Sequence, residues 1–230
     1  MLFRSFDQSP KRLYLAQTGL ITTQAGVPLP NHLTAMKVLT SERTLADGAA
    51  QIELKLESPA IDGRRLVKTY TFKRGDYVVG VKHEVFNDAN TPVSPQLYLQ
   101  LARDGNPPEG ESSFYFTFTG PAVYTNAGKF TKVDFKDIEK GKASHDKEAD
   151  NGWVAMVQHY FASAWLLPEK VQREFRTAKV ADNHFSVAMV VPLGEVAPGA
   201  SKTFESRLFA GPQEEHQLAA LAPEIGRAHV

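Results

Sequence analysis

The segment Gln51-Ile52-Glu53-Leu54-Lys55-Leu56-Glu57 alternates polar and apolar residues without a break. Side chains of an extended strand point to opposite faces in turn, so Ile52, Leu54 and Leu56 share one face and the polar residues share the other. A helix would scatter both sets around its axis. The spacing predicts a half-buried β-strand, and much of the chain repeats the theme. Leu66–Lys73 and Tyr77–Asn87 are rich in Val, Thr, Tyr and Phe, the residue types that favour strands, and form the arms of a hairpin. Arg74-Gly75-Asp76 lies between them. It spells a cell-adhesion tripeptide, but a glycine between two strands is what a tight turn needs, because glycine accepts positive φ.

Further strands are predicted at Leu13–Leu20, Gln96–Arg103, Phe114–Thr119, Val123–Tyr124, Lys132–Ile138, Val171–Val180, Phe185–Pro192 and Lys202–Ala210. Turn or breaking signals separate them at Val27–Asn31, Asp62-Gly63, Gly120-Pro121, Asn183 and Pro198-Gly199. Asp104–Ser113 and the charged stretch Gly141–Asn151 read as loops. Gly152–Pro168 contains both tryptophans, Trp153 and Trp165, and no formal charge. That much aromatic surface belongs in a core, so the stretch is expected as a core strand, with Trp153, Tyr160, Phe161 and Trp165 as core residues. One segment reads as helix, Pro212–Pro223, with acids in its first turn and Leu218 and Leu221 three apart. About ten strands and one late helix predict an all-β sandwich closed by a short helix.

Composition removes several function classes. The 230 residues are 42% hydrophobic, enough for a sizeable core, and 26 Lys and Arg balance 26 Asp and Glu. A neutral chain gives no electrostatic case for nucleic acid or an anionic surface. With no cysteine, disulfides, thiolate metal sites and a cysteine nucleophile are excluded. No apolar run approaches the ~20 residues of a membrane span, and Met1–Pro10 lacks the apolar core of a signal peptide. The end segments 1–5 and 224–230 resemble translated adapter DNA and are expected to be non-native tails, leaving residues 6–223 as the domain.

No phosphate loop, dinucleotide fingerprint, nucleophile elbow or zincin spacing occurs, and no two of the seven histidines are three to five residues apart. His83 and Glu84 adjoin on a predicted strand, point to opposite faces and read as solvated strand polars. His159, beside Tyr160, has the makings of a general base but is read as a hydrogen-bonded core histidine. Asp134, Asp137 and Glu139 read as solvated. Phe114, Phe116 and Phe118 share a strand face and read as core rather than as a stacking platform.

Four motifs carry a resemblance. Gly152-Trp-Val-Ala-Met-Val-Gln-His-Tyr-Phe-Ala-Ser-Ala-Trp165, Tyr70-Thr-Phe-Lys-Arg-Gly-Asp-Tyr77, Phe118-Thr-Gly-Pro-Ala-Val-Tyr124 and Leu208-Phe-Ala-Gly-Pro212 with Leu218-Ala-Ala-Leu-Ala-Pro223 resemble the large periplasmic domain of the YidC family of bacterial membrane protein insertases, over roughly Phe6–Pro223. The resemblance implies a β-supersandwich of galactose-mutarotase-like architecture with a closing helix at 211–223. It also implies a parent in the bacterial inner membrane that inserts and helps fold membrane proteins, alone or with the Sec translocon and its auxiliary subunits. Nascent membrane proteins would be handled by transmembrane helices absent from this chain, and no reaction, catalytic residue, metal or cofactor is implied. The family's domain begins earlier than Phe6, so part of the sheet edge is expected to be missing.

Two surfaces are candidate partner contacts: residues 126–151 through Lys136, Lys140 and Lys142, and the closing helix through Gln213 and Gln217. The alternative is a carbohydrate-binding or aldose-epimerase-like sandwich, which would need a histidine and a carboxylate on one sugar oxygen. His83, His159 and Glu84 are its candidates.

Overall fold

A computed structural model describes residues 6–9, 12–107, 118–158, 160–213 and 221. The first half of the chain contributes β1 (Asp7–Ser9), β2 (Arg12–Ile21), β3 (Lys37–Val38), β4 (Gln51–Glu57), β5 (Arg64–Lys73), β6 (Val78–Asn87) and β7 (Gln96–Asp104). The second half adds β8 (Gly120–Thr125), β9 (Lys129–Lys132), α1 (Phe135–Glu139), β10 (Glu148–Ala149), β11 (Trp153–Val157), β12 (Phe161–Leu166), β13 (Arg173–Ala181), β14 (His184–Pro192) and β15 (Ser201–Pro212). The protein is all-β. Its strands form a six-stranded sheet, β1-β2-β7-β14-β13-β10, and a nine-stranded sheet, β3-β4-β5-β6-β15-β12-β11-β8-β9. The β5–β6 hairpin is as predicted, and Gly75 at its tip has φ +73°.

The chain divides into two compact units. One comprises Met1–Gln17, Leu99–Val190 and Phe209–Val230, the other Thr18–Tyr98 and Val191–Leu208. Each contains strands of both sheets. In the first, the Trp165 indole of β12 donates to the Gln100 carbonyl of β7 at 3.0 Å, and the Tyr14 hydroxyl of β2 donates to the Met156 carbonyl of β11. In the second, Lys68 of β5 donates to the Thr18 carbonyl of β2.

The stretch 152–168 is two strands rather than one. β11 and β12 pair as an antiparallel hairpin in which Val154 faces Trp165 and Trp153 faces Leu166. Gln158 donates its N–H to the Phe161 carbonyl and closes the turn. The bend carries no glycine, proline or charge, and Gln158 and His159 alone mark it, which is why the sequence reads as continuous. The register puts the two tryptophans on opposite faces of the hairpin. Trp165 faces β7, while Trp153 stacks on Tyr124 at 5.5 Å with Phe130 beyond it. Both are buried, and Phe161 is half-buried. Tyr160, expected in the core, is 66% exposed because it sits in the turn, outside both strands. Gly152 begins the hairpin at φ +92°, and a Cβ there would run into the Tyr124 carbonyl, so only glycine fits.

Three other expectations change. Gly120-Pro121 does not break the chain but starts β8, where Pro121 sits opposite Met156 and its carbonyl accepts from Val133. Proline is compatible with the first positions of a strand. The predicted strand Lys132–Ile138 ends at Lys132 and becomes α1, whose Phe135 and Ile138 pack together against Phe185. That three-residue spacing suits one side of a helix. Pro212 closes β15 instead of opening a helix. Gln213, the next residue of the predicted helix, is not helical, and the rest lies outside the described residues except for Leu221, as do Phe114–Thr117 of the predicted phenylalanine strand. Phe118 and Thr119 are not in a strand.

Truncating Trp165, a fully buried side chain with a hydrogen bond to the facing sheet, removes contacts that the surroundings cannot refill. Trp165→Ala is expected to cost about 3–5 kcal/mol, whereas exposed Tyr160→Ala is expected to stay within about 0.5 kcal/mol. Urea unfolding curves of the two variants give both values.

Candidate functional site

β3, β4, β5 and β6 pair in regular register, so their side chains form cross-strand rows on one face. Val38, Leu56, Lys68 and His83 make the first row. Leu54, Tyr70 and Val81 follow, then Ile52, Phe72 and Val79 toward the β5–β6 turn. The direction of this face is set by Lys68, whose Nζ reaches across to the Thr18 carbonyl at 2.7 Å. The His83 Nε2 lies 2.9 Å from the Thr18 hydroxyl oxygen. Thr18 thus receives both polar groups, and Lys68 and His83 are 5% and 0% exposed.

Cover over this face thins toward the β5–β6 turn and the sheet edge. Phe72 and Val38 are each 41% exposed and Tyr77 is 44% exposed, while Ile52, Leu54 and Val79 are half-buried. Ile52, Leu54, Phe72 and Val79 thus form an apolar strip on the same face as the buried amine, with half-buried Tyr70 between Phe72 and Lys68. Among the described residues no carboxylate lies within 4.0 Å of that amine.

Burial decides the ionisation here. Desolvation lowers the Lys68 ammonium to about 8. It lowers His83 further, to about 3, with the nearby Lys68 charge adding to the effect. His83 is thus a neutral hydrogen-bonding group at physiological pH, and its reading as a solvated strand polar is overturned. Glu84 points to the other face and lies 3.3 Å from Lys82. His83 and Glu84 therefore cannot converge on one sugar oxygen. The Tyr70 hydroxyl, next to Thr18, is also pushed up by burial.

The predicted contact lysines lie elsewhere. Lys136 is on α1, Lys140 follows its last turn, and Lys142 donates its N–H to the Asp137 carbonyl; all three are exposed around one short helix. Glu139 of α1 pairs with Lys179 of β13 at 2.7 Å. The rest of this region is pinned at its ends. The Thr125 hydroxyl bonds Asp146, and the Asn126 N–H donates to the Asn151 side chain at 2.7 Å. Gln213 is not on an outer face. It is buried, its amide donates to the carbonyls of Gln158 and Phe161, and its N–H donates to the Tyr160 carbonyl. These bonds clamp the end of β15 to the β11–β12 turn. Gln217 and His159 lie outside the described residues.

Sequence reading missed Lys68. The available signal was parity: in Leu66, Lys68, Tyr70 and Phe72 a lysine occupies one position of an otherwise apolar and aromatic row.

Both depressed groups couple stability to pH. The unfolded chain protonates His83 near its ordinary 6.5 and the folded chain near 3. The His83 contribution is therefore complete above about 6.5 and is lost as pH falls through that window. For Lys68 the window runs from about 8 to the ordinary 10.5, and stability rises with pH across it. Slopes should approach about 1.4 kcal/mol per pH unit. Lys68→Met should flatten the upper window and His83→Gln should reduce the lower slope, as read from urea unfolding across a pH series.

Comparison with known proteins agrees with this architecture. The sequence profile of the YidC periplasmic domain matches residues 2–229. The chain is 50% identical over 218 residues to a membrane protein insertase YidC from Janthinobacterium sp. (strain Marseille), covering 95% of this chain and 38% of that protein. It thus spans well under half the length of that relative. Among solved structures it is similar to the α-galactosidase from Lactobacillus brevis, with a TM-score of 0.51 and 14% identity over 89% of this chain and 30% of that one. It is also similar to a galactose mutarotase-like protein from Clostridium acetobutylicum, with a TM-score of 0.47 and 7% identity over 84% of this chain and 72% of that one. The first likeness concerns the fold alone. With a profile match over nearly all of its length, the chain belongs to the YidC periplasmic domain family.

Proposed function

We propose that this chain is the periplasmic part of an inner-membrane insertase that assists insertion and folding of membrane proteins, alone or beside the Sec translocon. The observation that carries the reading is the profile match across residues 2–229, together with 50% identity to a protein named as an insertase. The domain's share of the work is scaffolding and partner contact, with no reaction and no cofactor. In support, His83 is held neutral and buried, and Glu84 lies on the opposite face.

The partner contact is assigned to α1 and the loop after it. Lys136 lies on a short helix whose apolar side, Phe135 and Ile138, is fixed against Phe185, and Lys140 and Lys142 follow directly after it. The lysines are thus presented from an anchored base, and their long side chains remain in solvent, available to an acidic partner surface. Gln213 has no place in this surface, because its amide is used internally.

The test is made in the full-length insertase. Reversing all three lysines to glutamate should lower co-purification with the Sec translocon several-fold while the unfolding midpoint of the domain stays put. Unchanged association would refute the contact. For the reading as a whole, depletion of the intact protein from cells should slow insertion of inner-membrane proteins, and unchanged insertion would refute it.

A further inference from the structure

We propose that the face formed by β4, β5 and β6 binds a long-chain carboxylate, with its carboxylate on the Lys68 ammonium and its chain along Leu54, Ile52, Phe72 and Val79. This goes beyond the insertase reading and does not depend on it.

Three observations converge. The first is an unneutralised cation. Lys68 is 5% exposed, its one recorded bond is to the Thr18 carbonyl, and among the described residues no carboxylate lies within 4.0 Å. An ammonium has three donors, and a buried charge is costly unless it is paired. The second is the apolar strip on the same face. Phe72 and Val38 stay 41% exposed although they share a face with Leu66 and Val85, which are fully buried. Large apolar side chains left open beside a closed core mark a surface that something covers. The third is their relative placement. Lys68 and Phe72 are four residues apart on one strand, about 13 Å along its axis, and both belong to unbroken cross-strand rows. A ligand meeting both must have an anionic end and an extended apolar body.

Charge complementarity and access choose among such ligands. Lys68 is nearly closed off, so the head must be small, and a carboxylate is planar and compact. A phospholipid would have to bring its glycerol and second chain to the same depth. An anionic head also favours the charged amine that burial otherwise disfavours, so binding and protonation of Lys68 support each other.

Calorimetric titration of the chain with dodecanoate, below the concentration at which it forms micelles, tests the assignment. Saturable one-to-one binding is expected. Lys68→Met should weaken it at least tenfold, and Phe72→Ser several-fold. Dodecanol, which keeps the chain and lacks the charge, should bind weakly and equally to wild type and Lys68→Met. Raising pH from 7 to 10 should weaken dodecanoate binding to wild type, as the amine loses its proton, and leave Lys68→Met unaffected. Met replaces a buried charge with an apolar side chain of similar length, a change proteins commonly tolerate, and its unfolding midpoint verifies the fold. No saturable binding by wild type, or equal dodecanoate affinity in Lys68→Met, would overturn the proposal. Binding to phosphatidylglycerol vesicles without binding to free dodecanoate would overturn the choice of a single-chain carboxylate.

Discussion

The β11–β12 hairpin is buried on both of its faces, and much of the first unit follows from that constraint. An uncharged run holding two tryptophans cannot lie at a sheet edge or leave one side in water without losing much of the stabilisation that burial brings. It therefore sits inside the nine-stranded sheet, flanked by β8 and β15. On one side Trp165 meets β7 and satisfies its indole N–H on the Gln100 carbonyl. On the other, Trp153, Tyr124 and Phe130 form an aromatic row. The surrounding polar groups serve this arrangement. Arg173 is 1% exposed and donates to the Gly152, Asp150, Pro168 and Val171 carbonyls, holding the entry and exit of the hairpin with one guanidinium. Gln213 does the same for its turn.

The second unit solves a different problem. It carries a lysine and a histidine in the interior row of a sheet, and one residue, Thr18, meets them with its carbonyl and its hydroxyl. The histidine gives up its charge, as desolvation requires. The lysine has a single carbonyl and an open apolar strip beside it. A core built for stability alone would place a leucine at this position, since burial of an unpaired ammonium is costly. The contrast with Arg173, whose donors are met by four carbonyls, separates a structural cation from one with capacity to spare.

Much of the strand framework was legible in the residues. Strict alternation located β4, and β-branched and aromatic runs located both arms of the β5–β6 hairpin, because these signals depend on neighbours along the chain. The readings that failed share a cause. The bend at 158–160 has no glycine, proline or charge, and the two polar residues Gln158 and His159 are too weak a turn signal to divide the stretch. α1 is five residues long, too short for helical periodicity to stand out from a strand. Tyr160 is aromatic and Gln213 polar, yet the first is exposed and the second buried, because Tyr160 sits in the β11–β12 turn while Gln213, following β15, clamps that turn from inside.

What the sequence determined by itself is the all-β class, most strand positions, the glycine turn at residue 75 and the family resemblance. Each rests on patterns a few residues long or on motifs in fixed order. The tertiary structure alone decided that the tryptophan stretch doubles back, that His83 is dry and neutral, that Gln213 faces inward and that Lys68 lies at the end of an open apolar strip. Those facts depend on which strand lies opposite, and the cost of burying a charge or exposing a ring is set by partners distant along the chain: Thr18 lies 50 residues from Lys68 and 65 from His83.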